Sequence, residues 1–146
     1  MSQVTRTATI AATPEVIRTI MLDVENHPSW QKEVQKIEVL ETDGSSRPVR
    51  TRVTISAMGQ SADYELLYTY DEADNFEYHL TAGEMMTKND FTFAVSQSDA
   101  DPATSSVAVV QELDLKWPLP GFMIDQLTLK GVKDMLKALT EKAEQA

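Results

Sequence analysis

The stretch that decides the fold runs from residue 107 to residue 144 and reads VAVVQELDLKWPLPGFMIDQLTLKGVKDMLKALTEKAE. Its first part alternates apolar and polar residues with a period of two, which is typical of a β-strand with one buried face. Pro118 and Pro120 end that strand, because proline has no backbone N–H to donate to a ladder. From roughly Phe122 to Glu144 the apolar residues recur at helical spacing. One face of this predicted helix carries Leu129, Val132, Leu136, Leu139 and Ala143, widened by Ile124 and Met135, and the opposite face carries Lys130, Lys133, Lys137 and Glu141.

The first residues of the chain predict a strand followed by a helix. Val4 to Ile10 alternate at the strand period and include β-branched residues. Thr13 is a good N-cap and Pro14 suits the first helical position, so the helix begins there. Asn26-His27-Pro28 ends it, and the segment from Ser29 to Glu33 adds at most another turn or two.

The middle of the chain is a series of short segments with the strand period, joined by turn-forming clusters. Connections this short favour antiparallel hairpins over crossovers. A sheet with one polar face must bury the other, and the C-terminal helix supplies a matching apolar stripe. We therefore predict an α+β fold called helix-grip, in which about seven antiparallel strands curl around the long C-terminal helix, with two short helices after the first strand. The middle and last strands centre on Ile37–Val39, Val49–Ile55, Tyr64–Tyr70, Phe76–Leu80, Phe91–Val95 and Val107–Trp117.

Composition and charge exclude several classes of function. The 146 residues carry 13 Lys and Arg against 23 Asp and Glu, a formal charge of −10 at pH 7. This balance argues against nucleic acid as a partner, because phosphate recognition needs clustered cations. The absence of cysteine excludes disulfides and thiolate metal sites. No segment approaches the ~20 apolar residues of a membrane span, so we expect no integral membrane association. No secretory signal is recognisable, so we expect a cytoplasmic protein.

Several short segments, in a fixed order, carry a family resemblance. They are Ala12-Thr13-Pro14-Glu15 after the first strand, Glu25-Asn26-His27-Pro28-Ser29-Trp30, Ile37-Glu38-Val39-Leu40, Leu66-x-Tyr68, Phe91-Thr92-Phe93 and Pro118-Leu119-Pro120-Gly121-Phe122. Their order and spacing resemble the START-like superfamily, also called SRPBCC, and within it the polyketide cyclase/dehydrase and coenzyme Q-binding group. The resemblance implies that residues 1–146 form a single ligand-binding domain. It also implies an internal hydrophobic cavity for a lipid, polyketide, sterol or quinone.

The inward phase of the predicted strands outlines where such a ligand would lie. Three tyrosines there are informative, because a buried hydroxyl needs a partner in protein, water or ligand. Trp30 matches the family segment in which an aromatic closes one end of the cavity, although packing against the sheet explains it equally well. The predicted lining comprises Trp30, Val53, Ile55, Tyr64, Leu66, Tyr68, Tyr78, Phe91, Phe93, Gln111, Leu113 and Asp125, and the same inward phase includes Leu80, Val109 and Leu115.

Polar residues on the inward phase have two interpretations. Thr51, Thr87, Asn89 and Gln111 form local hydrogen bonds, or they orient a carbonyl or hydroxyl of a bound molecule. A one-residue slip or a bulge would move any of them to the outer face. Asp125, in the first turn of the last helix, stabilises the helix dipole or is a carboxylate at the cavity mouth with acid–base capacity.

The two histidines and the remaining motifs give no metal or cofactor site. His27 precedes a proline and His79 falls on the outward phase of its strand, and their separation gives no metal-ligand spacing. There is no glycine-rich phosphate loop and no GxSxG nucleophile turn. We therefore predict no metal and no cofactor.

Three hypotheses for the function follow from this sequence. The first, which we favour, is a non-catalytic protein that binds a small hydrophobic or amphipathic molecule in the cavity. The second is a cyclase/dehydrase-type enzyme of the polyketide aromatase/cyclase kind, using the tyrosines and Asp125 as acid–base groups. The third is an interaction module whose acidic surface binds a basic protein.

Overall fold

The computed structural model describes residues 3–57, 59–116 and 119–145, with only the backbone of Ala57. Trp117 and Pro118, predicted at the end of the last strand, lie outside the described residues, as does Met58. The elements are β1 (Val4–Ile10), α1 (Pro14–Leu22), a 3₁₀ helix (Val24–Ser29), β2 (Val34–Thr42), β3 (Pro48–Ala57), β4 (Gln60–Tyr70), β5 (Phe76–Gly83), β6 (Met86–Gln97), β7 (Ser105–Leu115) and α2 (Gly121–Glu144).

The seven strands form one antiparallel sheet, as the periodicity predicts. Their order is β1-β7-β6-β5-β4-β3-β2, so consecutive strands from β2 to β7 are neighbours. The first strand joins the far side of this meander, with Val4 opposite Gln111 and Ile10 opposite Ser105. The predicted α+β architecture, with a curved antiparallel sheet and a C-terminal helix, is confirmed.

Helix α2 covers part of the inner face of the sheet. It packs mainly against β1, β7 and α1. Its buried stripe contains the predicted Val132, Leu136, Leu139 and Ala143, together with Ile124 and Thr128. Thr128 is tolerated there because its hydroxyl donates to the Ile124 carbonyl one turn earlier, at 2.7 Å. None of the described helices is long and apolar enough to cross a membrane.

The link between β1 and β2 differs from the prediction in one respect. Thr13 caps α1 by accepting a hydrogen bond from the Val16 N–H at 3.4 Å, as expected. The second short helix, however, is the 3₁₀ helix that contains Asn26-His27-Pro28, rather than the segment after it. The buried His27 explains the difference, because its Nε2 lies 2.9 Å from the Met21 carbonyl and 3.2 Å from the Ile20 carbonyl. The His27 side chain thereby supplies a hydrogen-bond partner for carbonyls at the end of α1 and fixes the 3₁₀ turn that follows.

The predicted inward position of Thr87 is wrong. A register shift lies between Met86 and Lys88 where β6 pairs with β7. The extra residue restores Met86 to the inner face, and Thr87 is exposed. A bulge of this kind interrupts the period of two, which is why alternation counted back from Phe91 fails at this point.

The outer face of the sheet carries the charge. Glu65 accepts hydrogen bonds from Arg52 at 2.9 Å and from Arg50 at 3.3 Å, and these arginines lower its pKa. Lys88 reaches Glu112 at 3.1 Å on the same side. The acidic composition therefore describes the solvated face, and the opposite face is where an uncharged site can form.

Candidate functional site

A row of four side chains crosses the inner face of the sheet. Cross-strand neighbours on one face lie about 4.5–5.5 Å apart and contact one another directly. The Tyr68 and Tyr78 ring centroids are 5.4 Å apart, and the Tyr78 and Phe91 rings stack at 4.9 Å. The register pairs Tyr68 with Tyr78, Tyr78 with Phe91, and Phe91 with Gln111. The predicted strand phases are therefore brought together across β4, β5, β6 and β7.

The inner face divides into two ends that differ in exposure. The closed end is covered by α1 and by the C-terminal part of α2, and none of its side chains is more than 5% exposed. The Arg18 guanidinium donates to the Val95 carbonyl, and the Ala11 N–H donates to the Glu144 carboxylate, so both helices are tied to this end. The closed end consists of Phe76, Phe93, Val95, Val107 and Val109, and the open end consists of the half-buried Ile55, Tyr64, Tyr78, Leu80, Gln111 and Leu113.

The predicted lining residues fall into two groups by burial. Val53, Leu66, Tyr68, Phe91 and Phe93 are buried and belong to the packed core. Trp30, Ile55, Tyr64, Tyr78, Gln111, Leu113 and Asp125 are half-buried. Packing alone accounts for the first group. The second group keeps surface that the described part of the protein does not cover.

The three inner tyrosines share one uncharged environment. Burial raises the pKa of Tyr68 to about 12 and raises the pKa values of Tyr64 and Tyr78 well above the ordinary value of 10. The proximity of the phenols adds to the shifts, because Tyr64 and Tyr68 both raise the pKa of Tyr78. All three phenols are therefore neutral at physiological pH.

The Thr51 hydroxyl is a buried polar group without a hydrogen-bond partner among the described residues. Thr51 is fully buried, and its proximity lowers the pKa of the Tyr68 phenol, whereas burial has the larger effect and raises that pKa. The two hydroxyls are not in hydrogen-bonding geometry. A buried hydroxyl without a hydrogen-bond partner lowers the free energy of unfolding.

An amide pair adjoins the tyrosines. The Gln111 Nε2 donates to the Asn89 Oδ1 at 2.9 Å, and the Asn89 Nδ2 lies 3.7 Å from the Met86 sulfur. Asn89 is buried whereas Gln111 is half-buried, so Asn89 orients the more accessible amide. The inward phase of β6 already pointed to Asn89, but alternation could not identify its partner.

Asp125 and Trp30 are the two predicted lining residues that lie outside the strands, and both are half-buried. Asp125 is the fifth residue of α2 and lies beyond its first turn, which contains no acidic residue, so the predicted first-turn position is corrected. The difference arises because α2 begins at Gly121, one residue before the predicted start. Trp30 packs on His27 with ring centroids 4.8 Å apart. Burial lowers the pKa of His27, so this imidazole is neutral and structural.

Two grooves open on the surface of the described residues. One, of about 410 Å³, runs between β1 and α2 and includes Arg6, Lys133 and Lys137. The other, of about 310 Å³, lies along the start of α2 and includes Leu119, Met123 and Leu127. Neither contains a predicted lining residue. Within residues 3–57, 59–116 and 119–145, no three His, Asp or Glu side chains are grouped to hold a metal ion.

Comparison with solved structures places this architecture among known folds. A START superfamily protein from Mycobacterium smegmatis is 26% identical, with 98% of this chain and 97% of that chain covered and a TM-score of 0.91. A protein from Thermus thermophilus is 22% identical over 97% of each chain, with a TM-score of 0.83. The Zhui aromatase/cyclase from Streptomyces sp. R1128 is 15% identical over 99% of this chain and 94% of that chain, with a TM-score of 0.83. The last two likenesses show the fold alone.

Comparison of the sequence with curated proteins gives no significant match. A family model described as "Polyketide cyclase / dehydrase and lipid transport" matches residues 1–146. The match spans the strands, the 3₁₀ turn and the terminal helix that build the site. The chain therefore belongs to the polyketide cyclase / dehydrase and lipid transport family.

Proposed function

We propose that this protein binds a small hydrophobic or amphipathic molecule, of lipid, polyketide, quinone or sterol-like kind, between the open end of the sheet and the N-terminal half of α2. The observation that carries the proposal is the partial exposure of side chains on the inner face. Tyr64 and Tyr78 are enclosed enough for burial to raise their pKa values strongly, yet each keeps free surface. Side chains that line an internal space have this combination.

The placement of α2 supports the same location. A helix of 24 residues is about 36 Å long, so its two halves cover different parts of the sheet. Its C-terminal part is tied to the closed end through the Glu144 carboxylate and Ala11. The N-terminal half lies toward the open end, with Ile124 and Thr128 buried on one side, and with Phe122, Met123 and Leu127 exposed on the other. We assign this half of α2 to the mouth of the site.

The chemistry of the wall suits such a ligand. Ligand sites are typically concave and mostly apolar, with a few polar groups that orient the bound molecule. At the open end, Ile55, Leu80 and Leu113 supply apolar surface, and Tyr64, Tyr78 and Gln111 supply polar groups.

A titration with the uncharged fluorescent probe N-phenylnaphthylamine tests the proposal. We expect saturable enhancement of its fluorescence by the parent protein and loss of that enhancement in Leu113→Trp, whose larger side chain fills the open end. The matched control is Leu67→Trp, because Leu67 is 36% exposed on the opposite face. Equal binding by the parent and both variants would place the probe elsewhere and contradict the proposal.

Native mass spectrometry of the protein purified from cells supplies an independent readout. A retained small molecule that is missing from Leu113→Trp but present in Leu67→Trp supports the same site. A retained molecule present in both variants would argue against it.

A cyclase/dehydrase activity is the second candidate, favoured by the half-buried carboxylate of Asp125 on α2 and by the tyrosines of the inner face. The raised pKa values leave no phenolate to serve as a base at neutral pH, so the tyrosines would act as hydrogen-bond donors. If the protein turns over a polyketide-like substrate, Asp125→Asn combined with Tyr64→Phe should abolish turnover. Unchanged turnover in that double variant would remove this candidate.

A further inference from the structure

The polar groups at the open end are all uncharged, and two of them are free to bond a ligand. Neither the Tyr64 nor the Tyr78 phenol has a hydrogen-bond partner among the described residues. Gln111 donates to Asn89 through Nε2, which leaves its Oε1 as an acceptor. The open end thus offers two O–H donors and one amide acceptor inside an apolar wall.

No described residue of this wall carries a charge that could pair with an ionised ligand. The open end consists of aliphatic side chains, phenols and an amide, and the neighbouring inner-face residues Thr51, Asn89 and Phe91 are also uncharged. Asp125, on the half of α2 that we assign to the mouth, would repel an anion. Arg50 and Arg52 on β3 are engaged with Glu65 on the outer face. The lysines nearer the mouth are engaged as well, because Lys116 donates to the Gly83 carbonyl at 2.8 Å and Lys130 pairs with Asp134. An ionised carboxylate would therefore be buried without a partner, at a large cost.

We infer that the site selects uncharged molecules that carry a carbonyl oxygen, which accepts hydrogen bonds from Tyr64 and Tyr78, and that it rejects ionised carboxylates. This inference rests on the proposed function and narrows it. A ring ketone or quinone satisfies both phenols, whereas a hydrocarbon leaves them without partners. A fatty acid in its ionised form brings a charge that the wall does not match.

Three compounds that share one ring framework separate these possibilities. Menadione is an uncharged naphthoquinone, methylnaphthalene has the same rings without oxygen, and naphthoate carries an ionised carboxylate at neutral pH. Because the chain has no cysteine, menadione has no thiol to alkylate. Calorimetric titration should give an affinity for menadione about tenfold above that for methylnaphthalene, because the hydrocarbon cannot accept the hydrogen bonds that the phenols donate. Naphthoate should bind about a hundredfold more weakly than menadione, because its charge stays unpaired.

Phenylalanine variants assign the effect to the two phenols. Tyr64→Phe and Tyr78→Phe should each lower the affinity for menadione about three- to tenfold and leave that for methylnaphthalene unchanged. Tyr70→Phe is the matched control, because the Tyr70 hydroxyl donates to the Pro48 carbonyl away from the open end. A loss that affects both ligands equally would mean that the substitutions disturb packing.

The outcomes that overturn the inference differ from those that overturn the proposed function. The selection for a carbonyl would be overturned if menadione bound no tighter than methylnaphthalene, or if naphthoate bound more tightly than menadione. It would also be overturned if menadione failed to bind while N-phenylnaphthylamine still bound at the open end. In those cases the hydrophobic site stands. Absence of N-phenylnaphthylamine binding, by contrast, would overturn the proposed function, and the inference with it.

Discussion

The closed and open ends of the inner face are built from the same strands and the same alternation, yet they have opposite properties. Phe93 at the closed end is 1% exposed and stacks on Phe76 with ring centroids 5.3 Å apart. Tyr78 and Leu113 at the open end are half-buried. The closed end is tied to both helices, because Arg18 of α1 donates to the Val95 carbonyl and Glu144 at the end of α2 accepts from the Ala11 N–H.

This contrast separates stability from function within one sheet. Side chains at the closed end exchange water for close packing, and that exchange is the main favourable contribution to folding. Side chains at the open end keep part of their surface free, so they contribute less to folding, and they are the ones that we propose contact a ligand. Substitutions at the two ends test this difference between packing and accessibility.

Truncation should have its largest effect at the closed end. Phe93→Ala leaves a cavity in close-packed surroundings, and we expect it to lower the free energy of unfolding by about 3–5 kcal/mol. Leu113→Ala removes a half-buried side chain, and we expect a loss of about 1 kcal/mol together with weaker binding of N-phenylnaphthylamine. Urea denaturation measures both losses. Equal losses from the two variants would break the distinction between the ends.

Removal of a tyrosine hydroxyl should have different effects beside the closed end, at Tyr70, and within the open end, at Tyr64. Tyr70 packs beside Phe76, donates to the Pro48 carbonyl and lies under the Arg47 guanidinium, 4.2 Å from the ring centroid. Tyr70→Phe should therefore lower the free energy of unfolding by about 1 kcal/mol. Tyr64→Phe should leave stability within about 0.5 kcal/mol, because its hydroxyl has no partner to lose among the described residues. Chemical denaturation of both variants measures these changes. A loss of about 1 kcal/mol or more in Tyr64→Phe would contradict the comparison.

The free energy of unfolding should depend on pH through His27, which lies in the 3₁₀ turn before Trp30. Burial lowers the pKa of His27 in the folded protein below the ordinary value of 6.5. The unfolded chain then binds the proton more readily, so the stabilising contribution is complete above 6.5 and is lost as pH falls below that value. His27→Gln keeps an N–H donor for the α1 carbonyls and should reduce this decline. Thermal unfolding between about pH 7 and pH 5 measures it, and an unchanged decline would exclude His27 as its source.

The smallest expected effect has the opposite sign. Thr51→Val replaces the unpartnered buried hydroxyl with a methyl group of similar shape, and we expect a gain of about 1 kcal/mol or less in the free energy of unfolding. Thr54→Val, on the outer face of the same strand, is the control. The Thr54 hydroxyl donates to Asp63 at 2.8 Å, so its loss should slightly destabilise the protein. A destabilising Thr51→Val would show that this hydroxyl has a bound partner, such as water.

Much of the site could be predicted from alternation, with failures at particular residues. The period of two placed Tyr68, Tyr78 and Phe91 on one face, and the register brings them side by side. It failed at Thr87, because the bulge before Lys88 adds a residue that alternation cannot detect. The hydrogen bonds of His27 could not be predicted from alternation either, because they join its ring to carbonyls six and seven residues earlier through a folded turn.

Sequence patterns alone predict the seven strands, the capped first helix, the long amphipathic helix and the negative charge of the outer surface. These follow from local periodicity, from proline and capping chemistry, and from charge, all of which act between near neighbours in the chain. Which inward side chains are fully buried and which stay accessible to solvent depends on the tertiary structure. That outcome depends on where α2 lies across the sheet, and α2 contacts β1, which is more than a hundred residues away in the chain. Burial is a property of packing between distant segments, so alternation can assign a side chain to the inner face but cannot show whether anything covers it.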